Sequence, residues 1–265
     1  QMGRNRTLSE TYGAGGWDLR FEDMKRIGDW EYVLGVNLMN QHLTYMTIAG
    51  ARKRDHPQSF SYHEPWWKHY KQVNEYFNRL SLALSAGEQV NGILVLEPTS
   101  SAWMYHSPVA PNARITEIGN SFQAFLQNLE KLQVEYDLGC ENIIKDHGSV
   151  DSGALTVGKR SYRLVVFPPR LDNIKKTTLD HLKAYLESGG TILSFGGAPG
   201  YVDGVESDSV KALASQYASN WVSAGSPQEK SALELLESDG FRIAAPDSIR
   251  GKLFHHRRKL EDGEV

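Results

Sequence analysis

Arg6-Thr7-Leu8-Ser9-Glu10-Thr11-Tyr12-Gly13-Ala14-Gly15-Gly16-Trp17 is the stretch on which the fold turns. Residues 6–9 read as a short strand that ends at Glu10, and the glycines after it mark a loop. Between Phe21 and Leu34 the apolar residues Met24, Ile27 and Leu34 recur at helical spacing, with Gly35 as a C-terminal stop. Val36-Asn37-Leu38-Met39 reads as a short buried strand leading to Asn40-Gln41-His42, followed by a polar and aromatic excursion up to Trp66-Trp67. Residues 68–85 then place Tyr70, Val73, Phe77, Leu80 and Leu84 on one helical face and stop before Gly87. From residue 6 to 86 the order is strand, helix, strand, helix, the grammar of a half-barrel or a doubly wound fold.

Ile93-Leu94-Val95-Leu96 is a continuous apolar run closed by Pro98, as a parallel strand buried on both faces should be. Ile118, Phe122, Phe125, Leu129 and Leu132 mark a helix. Residues 163–167 form another buried strand before Pro168-Pro169, Thr177 and Asp180 open a helix that stops at Gly189-Gly190, and residues 191–195 form a third strand. The alternation predicts a doubly wound α/β domain of about 150 residues beginning near residues 87–91. The run 253–258 reads as a strand, 261–264 as a turn, and Val265 as the first residue of a return strand. Both chain ends look cut, so the expectation is an excerpt of a longer protein.

Composition narrows the function classes. With 40% hydrophobic and 10% aromatic residues in 265, a packed core is affordable and disorder is excluded. Lys and Arg number 29 against 32 Asp and Glu, so no global positive field favours nucleic acid or an anionic membrane. One cysteine, Cys140, rules out an internal disulfide framework and a thiolate metal cluster. No apolar run reaches the roughly 18 to 20 residues of a membrane helix, so a soluble chain is expected, with its compartment left open.

Chemistry gathers in the first 70 residues, which hold four of the six tryptophans and four of the nine histidines. Trp30, inside the amphipathic helix, reads as packing. Trp17, Trp66 and Trp67 fall in loops, where flat rings edged by hydrogen-bonding groups suit sugar faces. Glu10 stands where barrel strands carry catalytic groups, the alternative being a solvated strand-end glutamate. His42 reads as a transition-state donor or a core histidine, and Arg54-Asp55 as a clamp for vicinal hydroxyls or part of a solvated run. The Gly13–Gly16 spacing is not that of a dinucleotide loop, and His63-Glu64 and His69 lack zinc-helix spacing. In the second block, Gly196-Gly197-Ala198-Pro199-Gly200 reads as a tight turn, Cys140 sits on no nucleophile elbow, and Asp146-His147-Gly148-Ser149 reads as a loop, so that block is taken as a scaffold.

Thr7-Leu-Ser-Glu10-Thr-Tyr-Gly-Ala-Gly-Gly-Trp17, Glu22-Asp-Met-Lys-Arg-Ile-Gly-Asp-Trp30, Gly35-Val-Asn-Leu-Met-Asn-Gln-His42 and Arg52-Lys-Arg-Asp55 with Pro65-Trp-Trp67 together resemble the end of the catalytic barrel in large glycoside hydrolases. They resemble most the α-L-rhamnosidases of glycoside hydrolase family 106. The resemblance implies the last two βα units of a (β/α)₈ barrel over residues 1–87, a glutamine-amidotransferase-like parallel-sheet domain over 88–249, and the start of a β-sandwich over 250–265. It implies that Glu10 is the general base of an inverting reaction, or the nucleophile of a retaining β-galactosidase-like relative. Tyr12, Trp17, Asn40, His42, Arg54, Asp55 and Trp66 form the implied substrate-binding set. Calcium at the sugar site is implied without assignable ligands. The implied partners are an oligosaccharide or glycoside substrate and the remainder of the parent chain, with no nucleic acid and no membrane. Because a barrel takes about 250 residues and only about 87 precede the second block, this chain alone should be inactive on aryl glycosides and prone to self-association through uncovered flanks. A non-catalytic carbohydrate-binding or assembly module is the competing expectation.

Overall fold

The computed structural model describes every residue except 55–57, 238–240, 242, 247 and 250. The chain divides into two compact units, one of Arg4–Val90 with His255–Val265 and the other of Gln1–Gly3 with Asn91–Phe254.

In the first unit, β1 (Leu8–Thr11), α1 (Phe21–Val33) and β2 (Leu38–Gln41) form a parallel βαβ unit, and α2 (Tyr70–Ala83) follows after a 3₁₀ turn at Trp67–His69. The first strand begins two residues later than residues 6–9 would suggest, so Glu10 lies inside it. Asn37 explains the shift: its Oδ1 accepts the Thr7 N–H at 2.9 Å, while its amide donates to the carbonyls of Asn5 and Leu84. A buried side chain thus takes the hydrogen bonds that a ladder would otherwise provide. Asp23 caps α1 by accepting from the backbone and guanidinium of Arg20. The helices pack through Met24 and Tyr70 in one cluster and Tyr32, Phe77 and Leu84 in another. Trp30, expected to pack, is 41% exposed.

Glu88–Gln89 (β3) pairs antiparallel with Arg258–Lys259, so that among the described residues only Arg258 of the expected 253–258 strand is in ladder geometry. Val265 already returns to Arg258, exchanging two backbone bonds of 2.8 and 2.9 Å across a turn closed from Leu260 to Gly263. Buried Arg258 fixes this segment by donating to the carbonyls of Ala86 and Gly87. Residues 255–265 therefore pack with residues 4–90.

The second unit is built on five parallel strands: β4 (Ile93–Leu96), β5 (Tyr136–Gly139), then Leu164–Phe167, Thr191–Ser194 and Trp221–Ser223. Their spatial order is Trp221–Ser223, Thr191–Ser194, Leu164–Phe167, β4, β5. Ile93 and Val95 enter one core with Phe125 and Leu129 of the helix Ala113–Lys131; Leu94 and Leu96 enter the other with Leu179, Leu182 and Tyr185 of the helix Lys176–Glu187. All four strand side chains are buried because helices cover both faces, each contributing about 1.5–3 kcal/mol of transfer free energy. Asn112 caps the first of these helices through its side chain. The second has no local cap, and its first N–H groups are taken by distant carboxylates, Lys175 N–H by Glu141 and Lys176 N–H by Asp203.

Two elements depart from expectation. Asp146 and His147 end a helix (Glu141–His147) and Gly148-Ser149 open a strand, where a loop was expected. Residues 148–162 form a three-stranded antiparallel sheet of Gly148–Asp151, Ala154–Val157 and Arg160–Tyr162. Its strands are three or four residues long, too short to announce themselves by alternation, yet they bury Leu155, Val157 and Tyr162. No helix among the described residues is long and apolar enough to cross a membrane.

Candidate active site

Period-two alternation sorts β1 and β2 into two faces. Leu8 pairs in register with Leu38 and Glu10 with Asn40, and these four are exposed on one face. The other face turns toward the helices: Thr11 is buried and donates to Glu31 at 2.7 Å, and Met39 packs among Met24 and Tyr70. A carboxylate and a carboxamide therefore stand side by side above two leucines. His42 follows at the end of β2, where its N–H donates to the Thr11 carbonyl at 2.9 Å. Its Nε2 lies 3.8 Å from Oε1 of Glu10, with the glutamate side chain 61% exposed. Glu10, Asn40 and His42 are thus brought together.

The other expected residues fall elsewhere. Tyr12 leaves β1 with φ of 71° and turns inward, its hydroxyl donating to the Met24 carbonyl at 2.8 Å. Burial, reinforced by the neighbouring Tyr70 and Glu31, drives that hydroxyl far above the ordinary phenol range, so it is a fixed donor. Trp66 is half-buried, edge-on to Phe21 at 5.2 Å and close to Phe60 and Tyr70. Trp17 donates its indole N–H to the Lys53 carbonyl at 3.1 Å, which ties it to the exposed 3₁₀ turn Gly50–Arg54. Arg54 is exposed on that turn, and Asp55 lies outside the described residues.

Two residues of the loop after β2 were not singled out as site residues from the sequence. Gln58 is buried and donates to the carbonyls of Tyr12 and His42. Glu64 is 4% exposed, its Oε1 has no hydrogen-bond partner, and burial raises its carboxyl above the usual range. Neither could be found from periodicity, because both sit in an irregular segment whose only signal is composition. Among the described residues no three His, Cys, Asp or Glu side chains come together as a metal site.

Chemically, an exposed carboxylate held near an imidazole and an amide can deprotonate water or attack carbon, while the amide and imidazole donate to hydroxyls. The two strands supply a single carboxylate, and glycosidic hydrolysis in most families uses two.

No family model matches the sequence. A curated protein of Formosa agariphila named "Putative beta-glucuronidase" is 25% identical over 186 residues, covering 68% of this chain and 14% of that protein. The solved structure of a rhamnosidase from Novosphingobium sp. PP1Y matches 99% of this chain and 25% of its own, with a TM-score of 0.63 and 16% identity. The chain thus spans about a quarter of that rhamnosidase and about a seventh of the curated relative. At this identity the likeness establishes a shared mixed α/β fold with a rhamnosidase segment.

Proposed function

We propose that this chain is part of a glycoside hydrolase that removes terminal α-L-rhamnose, with Glu10 as the general base of an inverting reaction. The observation that carries the proposal is the open face of β1 and β2, where Glu10 stands beside Asn40 and 3.8 Å from His42, above Leu8 and Leu38. In a (β/α)₈ barrel that face is the interior: leucines fill the lower layer and polar groups at the carboxyl ends form the site. Among the described residues β1 and β2 pair only with each other, which leaves two strand edges for further barrel strands. A cleft of about 320 Å³ beside β2, lined by Leu38, Met39, Gln41, Phe77 and Leu82, has room for a few side chains from a neighbouring strand. In the same proposal the five-stranded unit is the glutamine-amidotransferase-like scaffold that follows the barrel.

In the proposed reaction Glu10 takes a proton from water as the water oxygen bonds to the anomeric carbon. The bond to the leaving oxygen breaks, and an acid outside this chain protonates that oxygen. His42 and Asn40 donate to sugar hydroxyls and hold the ring above Glu10.

A second reading has its own support. The name of the Formosa agariphila relative points to a β-linked uronic acid, and exposed Arg52, Lys53 and Arg54 beside Trp17 offer cations for a sugar carboxylate. There Glu10 would be the nucleophile of a retaining reaction. The test is to give the full-length protein aryl α-L-rhamnoside, β-D-galactoside and β-D-glucuronide and to follow the anomeric proton of the product by NMR. Rhamnoside turnover with inversion is expected, whereas glucuronide turnover with retention selects the second reading. Turnover of none of the three refutes both.

A further inference from the structure

We propose that Gln58 is a positioning residue whose carboxamide clamps the chain where it leaves β1 and β2, and so holds Glu10 and His42 in one site. The inference deepens the proposed hydrolase reading and rests on it for its catalytic consequence. The clamp itself is a matter of geometry. Gln58 is 1% exposed, and its Nε2 donates to the carbonyl of Tyr12, two residues after Glu10, and to the carbonyl of His42 at 3.1 Å. Two carbonyl oxygens face one end of the carboxamide, which fixes its orientation, since the reversed amide would set oxygen against oxygen. Both amide hydrogens are then spent on backbone, one for each strand exit.

Parallel strands of four residues form a short ladder, whose last bond runs from His42 N–H to the Thr11 carbonyl. Past that bond the two chains diverge, Tyr12 turning inward with φ of 71°. Gln58 bridges the divergence where the imidazole must stay within reach of the Glu10 carboxylate. The sequence makes room for it at Gly15: a Cβ there would lie 3.2 Å from Nε2 of Gln58 and 3.0 Å from the Tyr12 carbonyl oxygen. Those approaches are tighter than ordinary contacts and would press the amide off its acceptor. A glycine in the loop and a glutamine more than forty residues later are thereby explained by one contact.

The test uses full-length protein carrying Gln58→Met, which keeps length and removes both donors, and Gly15→Ala, which keeps Gln58 and crowds it. Hydrogen exchange is measured over residues 11–16 and 42–46, with residues 93–96 as an internal standard, alongside kcat and KM on the best aryl glycoside. Expected are faster exchange in both segments, an unchanged standard, and a kcat lower by about 10²-fold with KM within about threefold, as displacement of a reacting group by about 1 Å produces. Gly15→Ala should move the same quantities less, and it carries the test alone if Gln58→Met fails to fold. Unchanged exchange in both segments overturns the clamp whatever the enzyme does. Faster exchange with unchanged kcat, in a protein that Glu10→Gln inactivates, overturns the positioning role. If Glu10→Gln leaves the protein active, the hydrolase reading fails while the exchange data still decide the clamp.

Discussion

Gly28→Ala is expected to destabilise the first unit, although alanine is the better helix former. Gly28 lies in the middle of α1, and a Cβ there would stand 2.3 Å from Cζ and 2.6 Å from Cε1 of Phe77, and 2.8 Å from Cε of Met39. Carbons rest at about 3.5 Å or more, so α1 would have to retreat by about 1.2 Å. Phe77 cannot swing aside, being 3% exposed and packed against Tyr32 at 5.3 Å and Tyr76 at 5.0 Å. Alanine returns about 1 kcal/mol of helix propensity. Overpacking costs about 1–3 kcal/mol, toward the upper end at a locked ring, which leaves a net loss of about 1–2 kcal/mol. Met39 precedes Asn40 in β2, so the push also disturbs the strand that carries the site. Urea denaturation followed by tryptophan fluorescence reports this unit well, since it contains four of the six tryptophans. Phe77→Leu removes the clashing ring edge and should recover about 1 kcal/mol in the Gly28→Ala background. A Gly28→Ala protein at least as stable as its parent, or no coupling to Phe77→Leu, would mean that the Phe77 ring does not limit the approach of α1.

Further outcomes follow from buried groups. Arg258→Met should cost about 2–4 kcal/mol and loosen β3, because two backbone carbonyls lose charge-assisted donors; limited proteolysis after residue 254 checks this, and resistance equal to the parent contradicts it. Glu64 has a folded-state carboxyl raised by burial, so the folded state binds more protons than the unfolded one above about pH 4.5. Its contribution is fully present below that value and is lost as pH rises through the folded value. The advantage of Glu64→Gln over the parent should therefore grow from pH 4.5 to 7.5 in denaturant titrations, and an advantage that is constant or grows on acidification counts against it.

Much of the fold was written in patterns that act locally. The run Ile93-Leu94-Val95-Leu96 announced a strand with two buried faces, and Tyr70, Val73 and Phe77 marked a helical stripe. What could not be read were effects made by contact. Asn37 moved the start of β1, and the antiparallel strands of residues 148–162 depend on pairing partners rather than on alternation. At the site, Glu10 and His42 were legible as polar residues at strand ends. That Tyr12 turns into the core while Gln58 reaches back to its carbonyl depended on a left-handed backbone at residue 12, which a non-glycine residue does not advertise.

The carboxylate at position 10 carries the proposed chemistry. Turnover of an aryl glycoside by full-length protein, compared with its Glu10→Gln variant at equal folded concentration, measures it. Loss of kcat by about 10²–10⁴-fold with the circular dichroism unchanged is the expected result for a general base. A Glu10→Gln protein that turns over substrate within a few-fold of the parent would contradict the assignment of this face as the active site.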